Sequence, residues 1–247
     1  MPTTAGQAIL DVFDSVRIIN LRSRPDRRKE ISRQLARLGL HVDGHKIAFH
    51  DACRPADAGK FPTIGTRGCF ISHLDVLIEA REQQVGNVLI LEDDANFAAR
   101  IEERLPAALA ALTQSPWSIF YGGHIKMDRP LIGSPLSVAD PELPILTAYM
   151  IGFTREAIEL AVPYLQRMKE RPAGDPEGGP MHVDGAYNWL RRAYPALQTQ
   201  LAVPMLGHQR PSRTDIHALG LADRTIGLRT MVGAIRRIKH SFAVQAY

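Results

Sequence analysis

The apolar positions of this 247-residue chain fall into short runs that alternate between two periods. Val16-Arg17-Ile18-Ile19-Asn20-Leu21 is a β-rich run that ends in polar residues. Pro25 then suits a first helical turn, Ile31, Leu35 and Leu38 share one face at 3.6-residue spacing, and Gly39 stops the helix. His45 to His50 reads as a second strand, and Thr63 to Gly68 as a glycine-bearing loop. The loop leads into a helix from about Cys69 to Gln83 whose core face is Phe70, Leu74, Leu77 and Ile78. Val88-Leu89-Ile90-Leu91 has no polar alternation, as expected of a central parallel strand covered on both faces. Ala98 to Leu112 predicts a helix, Trp117 to Tyr121 a strand closing on Gly122-Gly123, and Thr147 to Phe153 another strand. Glu156 to Lys169 predicts a helix interrupted near Pro163, Val183 to Ala193 a short helix, and Thr199 to Leu206 a last strand. Pro130 to Pro144 and Arg171 to Pro180 read as irregular loops. Strands and helices in alternation define an α/β sheet protein.

Composition adds bounds to that picture. Apolar residues make up 45% of the chain, enough for a core, and no low-complexity run interrupts it. Cys53 and Cys69 are too few for a disulfide framework and lack zinc-ligand spacing, so both are expected as reduced thiols. No segment reaches the roughly 20 apolar residues of a membrane span, and Met1 to Val16 has no signal-peptide pattern, which predicts a cytoplasmic protein. The formal charge of +4 resides in the segment from Ile216 to Tyr247, where Arg224, Arg229, Arg236, Arg237 and Lys239 stand against Asp223. The body is therefore neutral, which argues against nucleic acid as a partner. Residues 1–215 are expected as the catalytic domain and 216–247 as a basic amphipathic tail. Leu228, Met231, Val232, Ile235 and Ile238 fall near one helical face of the tail, suiting either an anionic membrane surface or packing on a protein.

The chemistry concentrates at Glu92-Asp93-Asp94, directly after the central strand. Three adjacent carboxylates at the end of a buried strand repel one another and lose hydration, and a divalent cation removes that cost. Their oxygens suit Mg²⁺ or Mn²⁺, which keep positions open for phosphate. Strand alternation places Glu92 and Asp94 on one side and Asp93 on the other, so Asp94 is the expected principal metal ligand with Glu92 beside it. Asp93 would face ribose or sugar. The triplet by itself equally suits a Mg²⁺-dependent nucleotidyltransferase or phosphotransferase, and its carboxylates could instead cap the following helix.

Several segments, in order, resemble glycosyltransferase family 25, the group of lipopolysaccharide and collagen galactosyltransferases. They are Ile18 to Arg22 with Asp26-Arg27-Arg28, Gly65 to Leu74, Val88 to Asp94, Thr147 to Ile151, Val183-Asp184, and Pro204 to Ile216 with Gln209, Ser212 and Asp215. The resemblance implies a GT-A type fold, a Rossmann-like, mostly parallel central sheet flanked by helices. It implies a UDP-sugar donor, galactose the foremost sugar, with Mn²⁺ or Mg²⁺, and transfer with inversion to a glycan, lipid-linked or protein acceptor. Lipopolysaccharide biosynthesis at the inner face of a membrane would be one setting.

Within that frame each residue has a role and a plainer alternative. Asn20, Arg22 and Arg27 would meet the nucleotide diphosphate, or belong to a solvated face. Ser72 and His73 would reach the donor from the first turn of their helix, or cap it. Asp93, Gly122, Gly123 and Gln209 would line the donor pocket, the glycines otherwise forming an ordinary turn. His208 would complete the metal shell. Asp184 would take the acceptor proton as general base, with His182 as second candidate, or serve as an N-cap. A protein that binds a nucleotide sugar without turning it over is the remaining alternative.

Overall fold

The computed structural model describes residues 1–126 and 134–210. The basic tail, the closing positions Ser212, Asp215 and Ile216, and part of the Pro130 to Pro144 loop lie outside the described residues. Those described belong to one compact unit, Met1–Ser212.

A seven-stranded sheet has the order β2 (Ile47–Asp51), β1 (Ser15–Asn20), β3 (Asn87–Glu92), β9 (Met150–Thr154), β5 (Ile119–Tyr121), β10 (Thr199–Ala202) and β7 (Leu136–Ala139). Five of these strands run one way, while β9 and β7 are antiparallel to their neighbours. This is the α/β, mostly parallel sheet flanked by helices that the resemblance implies. The C-terminal ends of β1, β2, β3, β5 and β10 therefore share one edge, and β9 begins at that same edge. Such an edge is where open α/β sheets hold ligands.

The uninterrupted apolar run of β3 has a simple cause. Val88 and Ile90 enter a core formed with α3 (Ile64–Glu82), α5 (Arg155–Glu170) and α6 (Val183–Ala193), whereas Leu89 and Leu91 enter a second core with α1 (Thr4–Val12), α2 (Pro25–Arg37) and α4 (Ile101–Thr113). Glu92 closes the strand toward α3, and the chain then turns at Asp93-Asp94 with Asp93 directed toward α2.

Several expected boundaries move. The Thr63 to Gly68 loop is the start of α3: Thr63 caps it by accepting the Thr66 N–H at 3.0 Å. Gly68 lies inside the helix, and the position is glycine because a Cβ there would stand 2.6 Å from the Cys53 carbonyl. The expected break at Pro163 is absent, and α5 is continuous. Its buried face of Ala157, Ile158, Ala161, Val162, Leu165 and Met168 spans the proline, and that burial outweighs the lost hydrogen bond of about 3 kcal/mol. The last predicted strand splits at Pro204, which cannot donate to a ladder. Its second part, β11 (Gly207–Gln209), pairs antiparallel with β4 (Ala95–Phe97), a ribbon unforeseen from the pattern. The other unforeseen elements are α1, β7 and the small pair β6 (Ile125–Lys126) and β8 (Ile145–Leu146).

Candidate active site

The three carboxylates meet different surroundings. Asp93, 6% exposed, accepts from Asn20 Nδ2 at 2.6 Å and from Arg27 Nη1 at 2.9 Å. Arg28 Nε in turn donates to Asn20 Oδ1 at 2.7 Å. Burial raises the Asp93 pKa, and Arg27 and Asn20 offset only part of that effect. Its side chain is thus committed to β1 and α2 and does not stand free for a ribose.

Asp94 is the strained member. It is 4% exposed, and its Oδ1 has no hydrogen-bond partner among the described residues. Oδ2 accepts from Gln209 Nε2 at 3.3 Å and stands 3.9 Å from Arg27 Nη1. Burial first, then the charges of Glu92 and Asp93, push its pKa up to about 7. Glu92 accepts from the same Gln209 amide through Oε2 at 3.3 Å, so the ribbon carries one side chain that bridges Glu92 and Asp94. Arg210 closes the far side, donating to the Asp93 carbonyl at 3.0 Å and pairing with Glu30.

A buried carboxylate oxygen without a partner, beside a second carboxylate, fits a hard divalent cation. Such an ion would supply the missing contact and cancel the repulsion that keeps Asp94 near neutrality.

His208 is not brought to this place. Neighbouring residues of a strand face opposite ways, so with Gln209 turned to the carboxylates His208 turns outward, is exposed, and meets Asn96 Nδ2 at 3.2 Å. Ser72 and His73 are not in a first turn but two turns inside α3, both fully buried. Ser72 Oγ donates to the Gly68 carbonyl at 2.7 Å and accepts from the Cys53 N–H at 2.8 Å, tying down the segment after β2. His73 does reach the site from beneath, with Nε2 3.3 Å from Glu92 Oε1 and Nδ1 3.1 Å from the Tyr187 hydroxyl. Arg22 is exposed and paired with Asp51 at 2.7 Å, away from the triplet.

Gly122 and Gly123 follow β5 at the same edge but are packed, not open. The space a Cβ would need is taken by Met150 at Gly122 and by the Tyr149 ring and hydroxyl at Gly123. That hydroxyl donates to the Gly207 carbonyl at 2.6 Å and so anchors the ribbon bearing Gln209. Gly123→Ala should accordingly cost 1–3 kcal/mol, roughly the penalty of overpacking. Urea unfolding would measure it, and an unchanged midpoint would show that Tyr149 can move freely.

Asp184 lies in the first turn of α6, where the expected N-cap is in fact His182, which makes no capping side-chain bond. Asp184 Oδ2 accepts the Thr147 N–H at 3.2 Å. Thr147, a β-branched residue at φ +71°, occupies a conformation that costs on the order of 1–3 kcal/mol. Buried Arg191 and Asn188 hold α6 against this entry segment: Asn188 exchanges two 2.9 Å bonds with Ile145, and Arg191 donates to the Leu143 and Asp140 carbonyls. The charge of Asp184 reaches the Cys69 thiol and the Tyr121 hydroxyl, helping burial to raise both pKa values. Asp184, Glu92 and Asp94 therefore all lie near Cys69. Tyr121, fully buried, keeps a hydroxyl without a partner among the described residues.

Sequence reasoning overlooked Arg210, Tyr149, Thr147 and Tyr187. Thr147, Tyr149 and Arg210 lie in segments of the resemblance, but the roles of the first two depend on β9 lying between β3 and β5, which no local signal encodes.

Fold and site define an α/β protein with an acidic centre at the C-terminal edge of its sheet. Residues 43–127 match the model of glycosyltransferase family 25 (LPS biosynthesis protein). Procollagen galactosyltransferase 1-B of Xenopus laevis is 27% identical over 159 residues, 54% of this chain and 23% of that protein. A glycosyltransferase 25 family member of Drosophila melanogaster is 30% identical over 132 residues, 47% of this chain and 22% of that protein. The matched region thus spans less than a quarter of either relative. The solved structure of a glycosyltransferase involved in the glycosylation of the major capsid of PBCV-1 aligns with 76% of this chain and 80% of its own, at 11% identity and a TM-score of 0.44. Over the matched residues the chain is similar to glycosyltransferase family 25. No helix among the described residues is long and apolar enough to cross a membrane.

Proposed function

We propose that this chain is an inverting, metal-dependent glycosyltransferase that moves a sugar, galactose foremost, from a UDP-sugar to a hydroxyl of a glycan, lipid-linked or protein acceptor. The observation that carries the reading is the partnerless, buried Oδ1 of Asp94 beside Glu92 at the end of β3. The names of the relatives support the transfer of galactose in particular.

Asp94 and Glu92 would hold Mn²⁺ or Mg²⁺, which when bound offsets the negative charge of a leaving diphosphate. Gln209 keeps the two carboxylates side by side. Arg27, fixed by Asp93, adds a positive charge at the same edge, where a diphosphate would sit. Asp184 accepts the acceptor hydroxyl proton while that oxygen attacks the anomeric carbon opposite the departing UDP, so the C–O bond to UDP breaks as the new one forms. The attack from the opposite face inverts the anomeric centre.

The test is UDP release from a panel of UDP-sugars without acceptor, with Mn²⁺ and with chelator. Slow, Mn²⁺-dependent hydrolysis of one donor is expected. Metal-dependent binding of a UDP-sugar without any release, even with added acceptors, would instead favour a binding protein. Neither binding nor release would favour the nucleotidyltransferase or phosphotransferase reading.

The neutral body, the acidic site and the basic segment beyond residue 216 together give a second expectation. Removing residues 216–247 should leave donor hydrolysis within about twofold and weaken sedimentation with anionic vesicles, as loss of a polybasic segment would. Unchanged sedimentation would remove the membrane role.

A further inference from the structure

One cluster beside the carboxylate pair has a different chemistry. Cys69 and His73 stand four residues apart on α3 and so share a face, and that face meets Glu92 at the end of β3. Cys69 Sγ, a ring nitrogen of His73 and a Glu92 oxygen all lie within 4.8 Å of one another. Ligands around one tetrahedral zinc ion stand about 3.3–3.8 Å apart, given bonds of about 2.0–2.3 Å. The His73 Nε2 to Glu92 Oε1 separation of 3.3 Å already meets that spacing. Cys69 need move only by a side-chain adjustment.

We propose that Cys69, His73 and Glu92 form a second cation site, selective for a thiophilic ion of the Zn²⁺ class and sharing Glu92 with the hard-cation site at Asp94.

Three further features support it. A metal-bound histidine needs a partner on its other ring nitrogen, and Tyr187 supplies one, its hydroxyl 3.1 Å from Nδ1. Glu92 divides its oxygens, Oε1 toward His73 and Oε2 toward Gln209 and Asp94, so each oxygen belongs to one of the two sites. Cys69 and Glu92 are half-buried, so neither ligand is sealed from solvent. Ligand softness then separates the two: thiolate and imidazole select zinc, whereas the all-oxygen pair of Glu92 and Asp94 selects Mn²⁺ or Mg²⁺.

Binding exchanges a proton for the ion. The Cys69 thiol releases its proton to solvent as the metal–sulfur bond forms, without any change of oxidation state. Two divalent cations on the two oxygens of one carboxylate repel each other, so an occupied soft site weakens the hard one. That consequence rests on the transferase reading, whereas the site itself does not.

The experiment titrates the metal-free full chain with Co²⁺ in the absence of oxygen and follows the sulfur-to-cobalt charge-transfer absorption. A band that saturates at one ion per chain, persists in Cys53→Ser and disappears in Cys69→Ser is expected, with Zn²⁺ displacing the cobalt. Circular dichroism of Cys69→Ser guards against misfolding, and Cys69→Ala provides a second variant. No thiolate band in the wild type, or a band that survives in Cys69→Ser, overturns the site. In the UDP-release assay Zn²⁺ should inhibit the wild type at concentrations at least about tenfold below those needed for Cys69→Ser. Equal inhibition of both would overturn the competition. A cobalt band in a chain that releases no UDP would retain the site and discard the transferase.

Discussion

Asp94→Asn should abolish sugar transfer and, in the absence of metal, make the folded chain more stable above neutral pH. The two effects have one origin. Burial and the charges of Glu92 and Asp93 raise the Asp94 pKa from 3.8 to about 7. A carboxyl raised in this way is at its most favourable below its unfolded value, so its contribution is whole below about pH 3.8. It is lost as pH rises through about 7. The largest possible loss is on the order of 4 kcal/mol. Asparagine is neutral throughout and has nothing to lose. Thermal unfolding with chelator should therefore show the wild type weakening from pH 4.5 to 8.5 relative to Asp94→Asn, with the variant the more stable at the alkaline end. Saturating Mn²⁺ at pH 8 should raise the wild-type midpoint by several degrees and leave the variant unmoved. A variant that still turns over would show that the metal reading of Asp94 is wrong. Parallel pH profiles for the two proteins would show that the buried oxygen is already satisfied.

Asp184→Asn should lower kcat by about 10²–10⁴-fold while the donor KM stays within a fewfold, since a missing general base affects the proton transfer and not the binding of UDP-sugar. The structure supplies the competing explanation that the test must separate. Asp184 also accepts the backbone N–H of Thr147, a residue in the left-handed region, and so holds the entry to β9. Asparagine keeps one acceptor oxygen and can retain that bond, so the structural cost should stay near 1 kcal/mol. Donor-induced stabilisation is the deciding readout. If it survives while turnover falls, Asp184 acts on the proton; if both vanish together, its place is to anchor Thr147.

The frame of the protein was readable in the chain itself. The unbroken run of Val88 to Leu91 announced a strand covered on both faces, and the two cores on either side of β3 are the reason. Alternation told Glu92 and Asp94 from Asp93; the last two stand in a turn, yet the contacts divide the same way, Gln209 bridging Glu92 and Asp94 while Asn20 and Arg27 hold Asp93. The helix limits were less legible where tertiary contact overrode local preference. Gly68 reads as loop but is a helical residue whose missing side chain makes room for the Cys53 carbonyl, and Pro163 reads as a break but is carried by a continuous buried face.

What the sequence by itself determined is the alternation of strands and helices, the position of the acidic triplet after the central strand, and the division of its carboxylates between two faces. These are local properties, set by period and by neighbours a few residues away. The tertiary structure alone decided which distant residues complete the site. Pairing of β11 with β4 delivers Gln209 and turns His208 outward, antiparallel insertion of β9 beside β3 brings Tyr149 and Thr147 to the edge, and packing of α3 on β3 sets His73 and Cys69 against Glu92. Such contacts span from about twenty to more than a hundred positions along the chain, and their geometry comes from sheet order and close packing, which no local pattern of residues specifies.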